Sequence, residues 1–206
     1  MLDFMEPAYK KSGKAGKEVY DIYPKFAIRT SSDLMIRGSD FYAIWDEDAQ
    51  LWSTKEDTAI RLIDDELDDY AKKFKKEHPN VEVINVLHMW EAESGTIDKW
   101  HKYVQKQCRD SYKPLDEKLI FSNTVTKKED YASKRLGYPL EECDISAYNE
   151  LMSVLYSPEE RHKLEWAIGS VVCGDSKEIQ KFVVMYGAPK TGKSTVLNIM
   201  QKLFDL

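Results

Sequence analysis

The sequence predicts a mixed α+β domain over residues 19–150, followed at 151–206 by a helical lead-in and the first strand, loop and helix of a parallel α/β domain. Three observations carry this reading. Strand-like alternation and helix-period stripes are mixed through the first part of the chain. A capped helix start stands at Ser157-Pro158-Glu159-Glu160. A continuous apolar run, Phe182–Tyr186, enters a glycine-bearing turn and emerges into a second helical stripe.

Composition sets the bounds. The chain has 206 residues, enough for one large domain or two small ones. Five tryptophans and twelve tyrosines supply a core. No apolar run approaches the roughly 18 residues that span a bilayer, and the N-terminus lacks a signal-peptide layout, so a cytoplasmic protein without a membrane partner is expected. Cys108, Cys143 and Cys173 lie far apart, which speaks for separate thiols rather than a disulfide framework or zinc site. A net charge of −6 argues against a broadly basic DNA-binding surface over the whole chain, while leaving room for a local basic patch.

Residues 1–18 read as a flexible basic N-terminus, since Lys10–Lys17 mixes four lysines with Gly and Ser. The same composition suits an arm that touches nucleic acid. Order is expected from about Val19. Asp40–Asp46 alternates as a strand, and the turn through Asp46–Gln50 leads to Leu51-Trp52-Ser53, predicting a hairpin. Ser53-Thr54-Lys55-Glu56 is a capping-box pattern. It opens a helix over 55–77 with an apolar stripe of Ile60, Ile63, Leu67, Tyr70 and Phe74. Asp64, Asp65, Asp68 and Asp69 are read as its solvated face, the alternative being a metal-binding carboxylate cluster. Val81–His88 alternates as a strand, and Ile97 to about Tyr112 reads as a second helix with Trp100, Val104 and Cys108 on one side. His101 on that helix is read as exposed, and His78, His88 and His162 show no metal-ligand spacing. Leu119–Phe121 is a possible short strand, Thr126–Leu136 a possible helix, and Gly137-Tyr138-Pro139 a break. The Ser157 helix carries Leu164, Ala167, Ile168, Val171 and Val172, and Gly174 closes it.

The chemistry-bearing motif is Gly187-Ala188-Pro189-Lys190-Thr191-Gly192-Lys193-Ser194-Thr195, a full G-x-x-x-x-G-K-[ST] between strand-like and helix-like flanks. Lys181–Tyr186 is expected as a buried parallel strand. Gly187 lets the chain leave it sharply, and Gly192 keeps side-chain bulk from backbone amides that face phosphate oxygens. The positive end of the following helix adds to the field. Lys193 is the expected contact to β- and γ-phosphates and Ser194 the expected Mg²⁺ ligand, with Thr195 a further phosphate contact. Ala188 and Pro189 belong to the cradle; Lys190 and Thr191 occupy its variable part. The motif thus implies ATP and Mg²⁺ as cofactors. A P-loop ATPase also needs an acidic residue on a later strand, and only Val196–Leu206 follow. The expectation is therefore an N-terminal portion of a longer protein, with no steady hydrolysis of its own.

The run Leu155–Arg161, then Glu165–Gly169, Gly174–Lys177 and Gln180–Phe182 leading into the P-loop, resembles the phage primase–helicases, similar to the poxvirus-type family of superfamily III helicases in the AAA+ class. FYAIWDEDAQLW, after Asp40, resembles their N-terminal region more loosely, so the likeness spans about Tyr23 to Phe204. It implies a replicative DNA helicase that forms hexameric rings, binds ATP between subunits and moves along single-stranded DNA. The positions it carries over are Gly187, Gly192, Lys193, Ser194 and Thr195. No D-x-D pair on a strand with a partner histidine accompanies it. Two alternatives stay open: an interaction or oligomerisation module of a phage replication protein, and another P-loop NTPase such as a kinase-like phosphotransferase.

Overall fold

The computed structural model describes residues 2–13, 18–26, 31–38, 41–107 and 111–204. Lys14–Lys17, Asp40 and Cys108, named above, lie outside them. The chain divides into two compact units, Met1–Pro114 and Leu115–Leu206. Residues 115–150 therefore pack with the C-terminal unit rather than with the N-terminal domain in which the sequence grouped them. Among the described residues no helix is long and apolar enough to cross a membrane.

The first unit is the α+β domain. Strand β1 (Met5–Lys11) pairs antiparallel with β2 (Val19–Phe26), and β2 pairs in parallel with β6 (Val83–Val86). A second sheet is the meander β3 (Leu34–Arg37), β4 (Phe41–Asp46) and β5 (Leu51–Ser53). Helices α1 (Glu56–Glu77) and α2 (Thr96–Gln107) complete it.

Strand β1 corrects the reading of 1–18 as a flexible terminus. Phe4 and Met5 are fully buried. The Tyr9 ring packs 4.7 Å from Phe74, Lys10 reaches Asp21 on the neighbouring strand, and Lys11 reaches Glu18 just before it. Composition suggested a tail, but pairing with β2 satisfies the backbone and these contacts order the side chains.

The β4–β5 hairpin forms as expected, with Trp45 opposite Trp52. Its turn is tied by Asp46 Oδ1, which accepts from the amides of Asp48 and Ala49. The capping box at α1 does not form. Ser53 Oγ instead accepts from Lys55 N and donates to Thr58 Oγ1, while Glu56 lies 2.5 Å from His101 Nε2. The apolar stripe of α1 buries Ile63, Leu67 and Phe74, and α2 buries Trp100 against Phe4, Phe26, Tyr42 and Tyr103. After α2 the chain returns to β3, where Ser111 N donates to Ile36 O and Ser111 Oγ accepts from Ile36 N.

The second unit opens with irregular chain. Leu119–Phe121 is no strand: only two backbone bonds, Leu136 N to Ile120 O and Ser122 N to Tyr138 O, join it to the 136–138 segment. Thr126–Leu136 is no helix either, beyond a single 3₁₀ turn at Lys128–Asp130. The Asp116 carboxylate accepts from the amides of Ser133 and Lys134 and from Ser133 Oγ, which holds these residues in a loop. Then come α3 (Ser146–Leu155), α4 (Pro158–Cys173), the short α5 (Ser176–Ile179) and α6 (Lys193–Phe204). The capping box of α4 is complete, Ser157 Oγ accepting from Glu160 N and Glu160 Oε2 from Ser157 N. Gly174 closes α4 at φ 81°, where a Cβ would lie 2.5 Å from Glu117 O. Helices α3, α4 and α6 meet over Met152, Leu164 and Val196.

Candidate functional site

The approach to the phosphate loop differs from expectation. Residues 180–188 form no strand, and neither sheet includes them. Phe182 is 88% exposed and Tyr186 97%. A parallel strand is stable only with ladder partners and helices over its faces, and no described strand supplies that pairing. Phe182, Val183, Val184 and Tyr186 are therefore left exposed, while Met185 packs against the cluster of Met152, Leu164 and Val196.

The loop itself is well formed. Lys190 has φ 66° and Gly192 φ 79°, two left-handed residues that curl the chain between Gly187 and the start of α6 at Lys193. A side chain at Gly192 would run into Leu155 of α3. Lys193 Nζ folds back beneath the curl and donates to Gly187 O at 2.9 Å, Ala188 O at 2.6 Å and Thr191 Oγ1 at 3.0 Å. Thr191 Oγ1 in turn donates to Ala188 O at 2.9 Å. The amides of Ala188, Lys190, Thr191 and Gly192 donate to no backbone acceptor among the described residues; Pro189 has none to offer. Ser194 and Thr195 stand exposed on the first turn of α6, and Ala188, Pro189 and Lys190 are exposed in the loop.

This arrangement can hold an anion. Unengaged amides, a helix N-terminus and an ammonium group converge on one short stretch. The partners of Lys193 are neutral oxygens, so exchanging them for phosphate oxygens replaces neutral-acceptor bonds with stronger charge-assisted ones. Thr191, read as merely variable, instead organises both the Lys193 ammonium and the loop carbonyl. Its only signal in the sequence was a hydroxyl two residues before the lysine.

Asp64, Asp65, Asp68 and Asp69 of α1 do not share one environment. Asp64 is only 7% exposed and accepts from Met89 N at 2.7 Å and Trp90 N at 3.4 Å. Burial pushes its carboxyl above the ordinary aspartate value, the two amide bonds opposing that shift. Asp68 Oδ1 lies 2.7 Å from His88 Nε2, and Arg61 bridges Asp46, Asp48 and Asp65. The solvated-face reading therefore fails for Asp64, whose role is to hold the segment after β6. Among the described residues no group of three or more His, Cys, Asp or Glu is placed to hold a metal ion. Cys143 and Cys173 are free and exposed. Compared with known proteins, the chain matches no family model, no curated protein and no solved structure.

Proposed function

We propose that the chain grips the phosphates of a nucleoside triphosphate, with Mg²⁺, through Gly187–Thr195, as the N-terminal portion of an ATP-dependent DNA helicase of the phage primase–helicase kind. One observation carries the phosphate reading: a complete G-x-x-x-x-G-K-S motif whose lysine ammonium is gathered beneath the loop at a helix N-terminus. The helicase assignment is supported by the resemblance from Leu155 to Phe204. In this reading the partners are single-stranded DNA and further copies of the chain in a hexameric ring.

The roles follow from the side chains. The loop amides and Lys193 would bind and orient phosphate oxygens, and the Ser194 hydroxyl would help hold the cation. Mg²⁺ would neutralise phosphate charge when bound. A fluorescent ATP analogue titrated with Mg²⁺ is expected to bind saturably, and Lys193→Ala to weaken binding by about tenfold or more, as loss of charge-assisted bonds requires. A weak affinity shared by wild type and Lys193→Ala would remove the phosphate site. The interaction-module reading has one observation in its favour, the exposed apolar side chains of Phe182, Val183, Val184 and Tyr186, and it would then stand in place of the motor.

A further inference from the structure

The first unit carries a second site of quite different chemistry. Between β2 and α2 lies a groove of about 430 Å³. Lys99, Lys102 and Lys106 line it from α2, at a spacing that puts them on one helix face, and Lys25 faces them from β2. All four are exposed, and none forms an ion pair among the described residues. Glu6 stands across from Lys25 in the β1 register.

The groove is also aromatic. Phe26 stacks on Tyr103 at 5.4 Å and 27°, and Tyr23 forms one wall with Lys10 Nζ at 5.9 Å and Lys99 Nζ at 6.0 Å from its ring centre. Like charges crowded along one face repel each other until an anion neutralises them. The rings are recessed, which disfavours a flat lipid surface. They are also out of reach of a duplex, whose base faces are stacked away, whereas a single strand offers splayed bases and phosphates together.

We propose that the β2–α2 groove binds a single-stranded nucleic acid, with Lys99, Lys102 and Lys106 on successive phosphates and Tyr23 as the stacking platform for a base. The Lys99 ammonium near the Tyr23 ring ends a long flexible side chain that can move onto phosphate, while Lys10 is paired with Asp21. This inference uses side chains of the first unit alone and stands whether or not the P-loop binds nucleotide.

The test is fluorescence anisotropy of the whole chain with a labelled oligo(dT), without nucleotide. Saturable binding is expected, tighter than to a duplex of the same length. Its log–log salt slope should be near −2, from about 0.7 per neutralised phosphate for three lysines. Lys102→Glu with Lys106→Glu should lower affinity about tenfold or more at low salt and flatten the slope to about −0.7. Tyr23→Leu should cost roughly tenfold and Tyr23→Phe little, since the ring does the stacking. Lys73→Glu with Lys76→Glu on α1, an equal charge change elsewhere, should leave affinity within about threefold, and Lys193→Ala should leave it unchanged. The proposal is overturned by absence of saturable binding, or by equal or tighter binding of duplex or of phosphatidylserine vesicles. It is likewise overturned by an unaltered affinity in the α2 pair, or by an equal loss in the α1 pair or in Lys193→Ala. Circular dichroism of each variant separates lost binding from lost fold.

Discussion

The two units solve the burial problem differently. In the first, both sheets and both helices close on a shared core of large side chains: Trp100, Phe4, Ile22, Ile44, Ile63 and Leu67 are all fully buried. In the second, three helices meet over Met152, Leu164 and Val196, Met185 packs on that cluster, and the other residues of its apolar run, Phe182, Val183, Val184 and Tyr186, are exposed. The first unit has its own sheets to finish the packing. The second has an apolar segment of strand composition and no described strand to pair it with. An apolar sequence licenses burial, but only a neighbouring element provides it.

Core truncation is the strongest way to break this contrast. Trp100→Ala removes a ring in contact with four other aromatics and should destabilise the first unit by about 3–5 kcal/mol, whereas Leu164→Ala in the thinner second core should cost nearer 2 kcal/mol, because an open cluster relaxes more readily. Urea unfolding followed by circular dichroism measures both. Equal losses would mean the second core is as tightly packed as the first.

Local structure should matter more where the core is thin. Ser157→Ala removes the side chain that caps α4 and should cost about 1 kcal/mol in the second unit, read as lost helical signal on mild heating. No change would mean that α4 is held by packing alone.

The smallest effect sharpens the picture of the first unit. Because the Asp64 carboxyl is raised above its ordinary 3.8, the folded state binds its proton more tightly than the unfolded chain does. That contribution to stability is fully present below the unfolded value and is lost as pH rises through the folded one. Asp64→Asn should remove this dependence. The stability difference, wild type minus variant, should therefore be most favourable to wild type in acid and decline as pH rises from just below 4. A difference that grows with pH would show that the amide bonds from Met89 and Trp90 outweigh burial.

What could be read from the sequence was what neighbours along the chain decide. The α1 stripe, the Trp45–Trp52 hairpin and the Ser157 cap depend on spacing and turn residues within a few positions. Strand β1 was hidden because lysine-rich composition says nothing about Asp21 and Glu18 across the sheet. Asp64 and Asp65 look alike in sequence, and only the amides of Met89 and Trp90 separate them. In the phosphate loop the residue types were legible, whereas the embrace of Lys193 by Gly187, Ala188 and Thr191 was not. The groove was invisible for the same reason as β1: its lysines on α2 were plain, but Tyr23 and Lys25 come from a distant strand.

The strand order β1-β2-β6 bears on how the chain reaches this shape. The β1–β2 pair and the β3–β5 meander join neighbours in sequence, so they can form while the chain is still short. The pairing of residues 19–22 with 83–86 cannot begin until the whole of α1 has been made. Of the strands in its sheet, that one joins last, because it must close a loop that holds β3, β4, β5 and α1. Asp64, gripping the two amides just beyond it, is the latch that keeps the late arrival in place. Until β6 arrives, the edge of β2 that it covers has no ladder partner, and an open strand edge invites wrong pairing.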